Sequence, residues 1–132
     1  MERPAPVRVV LVEDSPIIRE RLEEALAAPG VIEIVGRADG ERAAIETLDA
    51  TEWNALVLDL WLKQGTGLGV LRAVRDRRPP GAIVIVLTNY ALPRVRDATL
   101  ALGADHFFDK MRESHRVREV LDRLAAAHGD AL

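Results

Sequence analysis

Short apolar segments alternate with longer helical patterns along the whole chain, and this alternation limits the folds that the chain can adopt. The predicted strands are Val7 to Val12, Ile32 to Val35, Ala55 to Leu58, Ala82 to Leu87 and His106 to Phe108. Most of them are apolar almost without interruption, which is typical of strands buried on both faces. Strands of this kind indicate a parallel sheet that is covered by helices on both sides.

Helical patterns follow each of these strands. Ser15 and Pro16 form a helix start, with Ser at the N-cap and Pro at the first helical position. The apolar residues at helical spacing are Ile18, Leu22, Ala25 and Leu26, then Ala44, Ile45 and Leu48, then Leu68, Leu71 and Val74, then Val95 and Ala98 after Pro93, and finally Val117, Val120, Leu121 and Leu124. Units of strand and helix joined by right-handed crossovers predict an α/β fold with a doubly wound parallel sheet, whose five strands have the order 2-1-3-4-5.

The size and charge of the chain exclude several classes of protein. At 132 residues it has room for one domain, which we expect over residues 7–127 between short tails at 1–6 and 128–132. It has no cysteine and a formal net charge of -3, so thiolate metal sites are excluded and direct nucleic-acid binding is not expected. The longest purely apolar run, Ala82 to Leu87, is far shorter than the ~20 residues that span a membrane. Because the N-terminus also lacks the apolar core of a signal peptide, we expect a cytoplasmic protein.

Polar and charged side chains follow the ends of four predicted strands. Glu13 and Asp14 come after strand 1, Asp59 after strand 3, Thr88 after strand 4 and Lys110 after strand 5. In the predicted strand order these four strands are neighbours. Their carboxyl ends therefore meet at one edge of the sheet, where doubly wound sheets bind their ligands.

The residue types at this edge predict a metal-assisted phosphoryl site. The three carboxylates repel one another in a partly dry crevice unless a cation lies between them. Oxygen ligands without His or Cys favour Mg²⁺ or Mn²⁺. A lysine and a threonine hydroxyl beside them complete a site for a phosphoryl group. Asp59 is the best candidate for a nucleophile, because a carboxylate can form an acyl phosphate.

Each of these residues also has an ordinary structural explanation. Ser15 and Asp14 are both residue types that cap helices, and a single Asp after a buried strand is most often a turn residue or a cap. Thr88 alone is typical of a strand end, and Lys110 alone is typical of a solvated surface. Their joint occurrence at one predicted edge favours the functional interpretation.

At these positions the chain resembles the receiver domain of the two-component response-regulator family, of the single-domain chemotaxis type. The matching segments are Val10 to Ser15, Val57 to Leu60, Gly67, Leu87-Thr88, Gly103-Ala104 and Phe107 to Lys110. The resemblance runs from about Val7 to Leu124 and includes both the residue types and their intervals. It implies a five-stranded, flavodoxin-like fold.

The resemblance implies a role for each residue at the edge. Asp59 would accept a phosphoryl group from a phosphohistidine on a sensor histidine kinase or a histidine phosphotransfer protein. Asp14, Asp59 and the backbone carbonyl of Trp61 would ligate Mg²⁺, and Glu13 would hold the metal through water. Lys110 would pair with a phosphoryl oxygen.

The same resemblance implies a switch. Thr88 would move to hydrogen-bond the phosphoryl group, and Phe107 would rotate inward to fill the space. The readout surface would be the fourth helix, fifth strand and fifth helix, roughly Pro93 to Leu124, which would contact a downstream protein or a second copy in a homodimer. If the 132 residues are complete, output must pass through this surface or by relay of the phosphoryl group.

The chain departs from the family pattern at three positions. Lys63 stands four residues after the phosphoacceptor, where proline is frequent, and Asn89 stands where a small residue is common. Lys110-Met111 replaces a Lys-Pro pair with a cis bond, which predicts either a retained cis bond or a rearranged loop.

Two aromatic residues suggest one further property. Trp61 and Tyr90 lie two residues after Asp59 and Thr88, at positions that face the phosphoryl group in family members. The hypothesis is that both rings screen the acyl phosphate from water and give a long-lived phosphoform. The alternative is that the rings simply cover the loop.

Three other functions stay open at this point. A phosphatase with an aspartyl-phosphate intermediate would carry a second Asp two residues after the nucleophile, where this chain has Trp61, so we expect no enzymatic turnover beyond phosphoryl acceptance and slow self-dephosphorylation. A pseudo-receiver would act by protein contact without phosphorylation. The third alternative is that the chain is the receiver fragment of a longer DNA-binding regulator.

Overall fold

Five parallel strands form one sheet in the computed structural model, which describes residues 5–130. The strands are β1 (Val7–Val12), β2 (Ile32–Ala38), β3 (Ala55–Leu58), β4 (Ile83–Thr88) and β5 (His106–Asp109). The helices that follow them are α1 (Pro16–Leu26), α2 (Glu41–Ala50), α3 (Gly67–Arg75), α4 (Pro93–Ala101) and α5 (His115–Asp130). The strand order is β2-β1-β3-β4-β5, so the predicted doubly wound topology is confirmed.

Side chains alternate along each strand and so contribute to two separate hydrophobic cores, one on each face of the sheet. In β1, Val10 and Val12 pack on the face that α2 and α3 cover and that α4 also contacts, whereas Val9 and Leu11 pack on the face covered by α1 and α5. All four are buried. Burial on both faces explains why the strands read as continuous apolar runs.

Strand β2 extends three residues beyond its predicted end at Val35. Its pairing with β1 shifts between Val9 and Val10, which lie opposite Ile34 and Gly36, so Val35 is left over as a bulge. Gly36 then lies so close to α2 that a Cβ atom there would be 2.6 Å from a methyl group of Thr47. The pattern of apolar residues does not show where a bulge lies, so it does not predict that the strand continues beyond Val35.

Helix α4 presents a different side to the sheet than its apolar residues predict. Ala98 was expected to face inward but is exposed, and Thr99 is fully buried instead. The buried hydroxyl of Thr99 donates a hydrogen bond to the carbonyl of Arg96 (2.9 Å), so its burial leaves no polar group unpaired. Val95 is partly buried, as predicted, and α4 is therefore attached to the sheet by few side chains.

Helix α5 runs to Asp130, so residues 128–130 continue this helix and do not form the expected tail. The ring nitrogen Nδ1 of His128 lies 3.4 Å from the carbonyl oxygen of Ala5. Residues 1–4 and 131–132, which belong to the two predicted tails, lie outside the described residues. Within the described part of the chain, every helix is too short or too polar to cross a membrane.

Candidate functional site

The carboxyl ends of β1, β3, β4 and β5 meet at one edge of the sheet, as the strand order requires. Glu13 directly follows β1, and its N–H donates to the carbonyl of Ala38 at the end of β2 (3.0 Å). Asp59 directly follows β3, and its N–H donates to the carbonyl of Val12 (3.0 Å). Both residues thus continue the hydrogen bonding of the sheet, which fixes where their side chains begin.

Glu13, Asp14 and Asp59 form an acidic cluster in which one carboxylate oxygen from each residue lies within 4.8 Å of the others. The exposed fraction is only 1% for Glu13 and 7% for Asp59. The pKa of Asp14 is raised because a hydrogen bond with the Glu13 side chain, burial and the charge of Glu13 all favour its protonated form. These carboxylates are crowded enough to repel one another.

The donor set of this cluster fits a magnesium ion. It offers three carboxylates in close proximity and contains neither His nor Cys among its members. Mg²⁺ prefers such oxygen ligands, usually one or two carboxylates with several waters. A divalent cation at this position would offset the repulsion among the three carboxylates.

Lys110 supplies the positive charge of the site. Its Nζ lies 2.5 Å from Oε1 of Glu13 and 2.9 Å from Oδ2 of Asp59. Burial lowers the pKa of Lys110, but the hydrogen bonds to the two carboxylates and their charges outweigh burial and raise the pKa above its usual value. The lysine is therefore charged and bridges β1 and β3 from the end of β5.

Backbone contacts fix the position of Lys110. Its N–H donates to the carbonyl of Thr88 (2.9 Å), and the preceding Asp109 accepts from the N–H of Met111 (2.8 Å) through Oδ1. Glu113 accepts from the N–H of Asp109 through Oε1 (3.1 Å). The bond between Lys110 and Met111 is trans, so the loop after β5 is rearranged relative to the Lys-Pro pattern.

The structure shows which of Asp14 and Ser15 caps helix α1. Ser15 is the N-cap, and its hydroxyl accepts from the N–H of Ile18 (3.3 Å). The N–H of Ser15 also donates to Oε2 of Glu13 (3.1 Å). Because Ser15 provides the cap, Asp14 is not required for it and can contribute to the acidic cluster.

Sequence reasoning missed two residues that support the site. Arg19 donates to the backbone carbonyl of Glu13 (2.8 Å) and thereby ties α1 to the loop after β1. Gly67 lies against the loop after β3, where a Cβ atom would be 2.5 Å from the carbonyl oxygen of Asp59. Gly67 was noted only as part of the family pattern. The one feature of the sequence that points to Arg19 is its position, four residues after the N-cap residue of α1.

Thr88 and Phe107 lie beside this centre without joining the acidic cluster. Thr88 is fully buried, and its Oγ1 accepts from the N–H of Tyr90 (3.3 Å). Phe107 is partly buried and packs against the core on the side of α2, α3 and α4. Both residues occupy neighbouring strands at the same edge, with Phe107 opposite Val86 in the β4–β5 pairing.

Trp61 and Tyr90 contact each other above the same edge of the sheet. Their ring centroids are 5.0 Å apart, and the rings meet edge to face at 61°. They remain 57% and 54% exposed, which is high for large aromatic residues. The backbone N–H of Trp61 donates to Oδ1 of Asp59 (3.3 Å), so the backbone that carries one of the two rings contacts the predicted phosphoacceptor.

Comparison with known proteins identifies relatives for almost the whole chain. Residues 9–122 match the family model described as "Response regulator receiver domain". The chain is 32% identical over 123 residues to the probable transcriptional regulatory protein NarL of Mycobacterium tuberculosis, covering 91% of this chain and 56% of that protein. It is 33% identical to a protein-glutamate methylesterase/protein-glutamine glutaminase of Anaeromyxobacter dehalogenans, covering 92% of this chain and 35% of that protein. The chain thus spans about half or less of the length of these relatives.

Solved structures agree with the fold. The signal receiver domain of NarL from Mycobacterium tuberculosis has a TM-score of 0.82 and 28% identity, covering 93% of this chain and 98% of that domain. The receiver domain of RcsB from Salmonella enterica serovar Typhimurium, solved with the phosphomimetic BeF3-, has a TM-score of 0.79. At 22% identity, with 92% of this chain and 89% of that one covered, this second likeness shows the fold alone.

Proposed function

Because this chain belongs to the response regulator receiver domain family, we propose that Asp59 accepts a phosphoryl group from a phosphohistidine donor in the cytoplasm. The observation that carries the proposal is the position of Asp59, a nearly buried carboxylate that contacts the ammonium of Lys110 and lies in one cluster with the carboxylates of Glu13 and Asp14. A carboxylate in that position has both a counter-charge and further oxygen ligands for a cation close by.

The proposed reaction is a single displacement at phosphorus. A carboxylate oxygen of Asp59 forms a bond to phosphorus while the bond between phosphorus and the histidine nitrogen breaks. The electron pair of the broken bond stays on the imidazole, which takes up a proton. Asp14, Asp59 and the carbonyl of Trp61 would hold Mg²⁺ (or Mn²⁺), with Glu13 reaching it through water, and the ion would neutralise phosphoryl oxygens.

Lys110 changes partner in this proposal. Its ammonium binds Oδ2 of Asp59 and Oε1 of Glu13 before phosphorylation. Once Asp59 is phosphorylated, the nearest strong acceptors are the new phosphoryl oxygens, and a charged lysine binds them as a point charge. The exchange moves a buried positive charge without exposing it to solvent.

The switch that follows involves Thr88, Phe107 and α4. Thr88 would exchange its hydrogen bond with the N–H of Tyr90 for one with the phosphoryl group, and Phe107 would move into the space that Thr88 leaves. The thin attachment of α4, with Thr99 as its only buried residue, supports a shift of this helix. The surface of α4, β5 and α5 would then contact a downstream protein or a second copy of the chain.

Incubation with Mg²⁺ and acetyl phosphate, followed by intact-mass measurement, tests the proposal. We expect one added phosphoryl group, which does not form when EDTA is present from the start and is absent in Asp59→Asn. A folded wild-type protein that takes up no phosphoryl group would instead be a pseudo-receiver. Continuous turnover of a phosphate monoester would identify a phosphatase.

The comparison with NarL supports a second statement about context. Because the chain spans 56% of that regulator, we propose that receiver domains of this type also act within longer proteins, where the same surface would control an attached output domain. Expression of the chain together with any flanking coding sequence would test this by showing whether phosphorylation changes the activity of the additional segment.

A further inference from the structure

The loop after Asp59 is connected to the start of α2 by an exchange of hydrogen bonds. The N–H of Glu41 donates to the backbone carbonyl of Gln64 (2.8 Å), and the N–H of Arg42 donates to its side-chain Oε1 (3.2 Å). In return, Oε1 of Glu41 accepts from the N–H of Thr66 (2.9 Å), which is the N-cap residue of α3. Each segment therefore satisfies amides that the start of the other helix leaves unpaired.

Two glycines provide the space for the side chain of Glu41. Gly65 has a φ of +72°, and a Cβ atom there would lie 2.4 Å from Cβ of Glu41. A Cβ atom at Gly69 would lie 2.2 Å from Oε1 of Glu41. Real Cβ atoms do not approach other atoms so closely, so this position of Glu41 requires glycine at both places.

A short series of contacts leads from Glu41 to the phosphoacceptor. Thr66, which binds Glu41, pairs with Trp61 in an isolated antiparallel bridge. The N–H of Trp61 donates to Oδ1 of Asp59 (3.3 Å). The N–H of Gly67, next to Thr66, donates to the carbonyl of Leu60 (2.9 Å). The backbone around Asp59 is therefore held from the direction of α2.

We infer that Glu41 is a positioning residue for the phosphorylation site. Through Thr66 it fixes the backbone of Trp61, whose N–H orients Asp59 and whose carbonyl is assigned to magnesium. The inference rests on the proposed function for the identity of the ion, but the effect on the Trp61 backbone does not depend on it. Glu41 acts through the loop and does not touch the reacting atoms.

The test compares Glu41→Ala with Glu41→Gln and with Glu46→Gln. Glutamine at 41 retains the oxygen that accepts from Thr66, whereas alanine removes it. Glu46 lies on the same helix, is exposed and pairs with Arg42, so its substitution controls for charge. Mg²⁺ affinity is measured by calorimetry with MgCl₂ as the titrant, and amide hydrogen exchange is followed at Thr66 and Trp61.

We expect Glu41→Ala to weaken Mg²⁺ binding about tenfold, the lower end of what removing groups that orient metal ligands costs. It should also accelerate exchange at Thr66 and Trp61, while Glu41→Gln and Glu46→Gln remain close to wild type. Wild-type affinity and exchange in Glu41→Ala would overturn the inference. If the wild type itself binds no Mg²⁺, the proposed function fails, and exchange at Trp61 alone decides whether Glu41 holds the loop.

Gly69→Ala provides an independent variant that separates positioning from stability. Alanine favours a helix over glycine, so α3 itself should not be weakened. The added methyl group would nevertheless displace the carboxylate of Glu41. We expect the same loss of Mg²⁺ affinity as in Glu41→Ala and no further loss in the double variant. Full affinity in Gly69→Ala, with Thr66 exchange unchanged, would contradict the inference.

Discussion

The ammonium of Lys110 lies 2.9 Å from Oδ2 of Asp59, across a distance of 51 residues in the sequence. Its side chain is 11% exposed and that of Asp59 is 9% exposed, so the pair is largely shielded from water. The same ammonium also contacts Glu13. One cation therefore compensates two buried carboxylates, and the stability of the folded state depends on it.

Lys110→Met should destabilise the protein in the absence of divalent ions. Breaking a buried ion pair by removing one partner typically costs about 3–5 kcal/mol, because the remaining charge stays buried. Mg²⁺ should recover part of this loss. Urea denaturation in EDTA and in MgCl₂ measures both effects, and Lys63→Met, at the other lysine of the chain, is the exposed control. Equal stability of the two variants in EDTA would show that Lys110 does not compensate the carboxylates.

Asp14→Asn should have the opposite effect on the metal-free protein. The hydrogen bond with the Glu13 side chain, burial and the charge of Glu13 all raise the pKa of Asp14 and disfavour its charged form, so a neutral amide at this position should relieve an unfavourable interaction. We expect a small gain in unfolding free energy in EDTA, below about 1 kcal/mol, because Asp14 is partly exposed to solvent. Stabilisation by Mg²⁺ should disappear in this variant. A loss of stability in EDTA would contradict the prediction.

The sheet and the central residues of the site could be predicted because they follow from the order of the strands. Once β1, β3 and β5 are parallel and close together, Glu13, Asp59 and Lys110 must converge, whatever their side-chain conformations. The strand order does not predict that Lys110 contacts both carboxylates. This contact depends on the conformation of a long, flexible side chain.

Other features escaped prediction because no local pattern encodes them. The bulge at Val35 depends on how two strands pair, and burial of Thr99 in place of Ala98 depends on the angle at which α4 meets the sheet. The contact of Glu41 with Thr66 joins residues 25 positions apart and depends on glycines that could equally mark ordinary turns. Polar contacts between distant loops leave no periodic signal in a single sequence.

Gly67→Ala should disturb the loop that carries Asp59. The new methyl group would lie 2.5 Å from the carbonyl oxygen of Asp59 and 2.7 Å from Cα of Leu60, and both are backbone atoms that cannot rotate away. Overpacking of this kind typically costs about 1–3 kcal/mol. Thermal denaturation measures the cost. Wild-type stability and phosphorylation together would show that the loop accommodates the methyl group.

Glu113→Gln should reduce stability at neutral pH more than at acidic pH. The pKa of Glu113 is lowered by the hydrogen bond from the N–H of Asp109 and by the hydrogen bond and charge of Arg116. A lowered pKa in the folded state means that the stabilisation is complete above the ordinary value of about 4.3 and is lost as the pH falls through the folded-state pKa. Urea midpoints at pH 7 and pH 3 measure the difference, with Glu119→Gln, at an exposed position in α5, as the control. The prediction fails if the variant loses as much stability at pH 3 as at pH 7.

Trp61→Asn and Tyr90→Ala should each shorten the lifetime of the phosphoform. The two ring centroids are 5.0 Å apart, and the backbone N–H of Trp61 contacts the carboxylate that would carry the phosphoryl group. We expect the rings to hinder the approach of a water molecule in line with the acyl bond. We expect about a tenfold faster loss of the phosphoryl group, which corresponds to about 1.4 kcal/mol in activation free energy. The lifetime is measured by intact mass after removal of acetyl phosphate.

Leu92→Ala is the matched control for the aromatic pair, because Leu92 is 56% exposed in the same segment as Tyr90. If the rings act together, removal of either one should open the path to water, and the double variant should be no faster than the faster single variant. Additive effects would mean that each ring blocks a separate approach. Lifetimes equal to that of wild type in both single variants would show that the rings only cover the loop after β3.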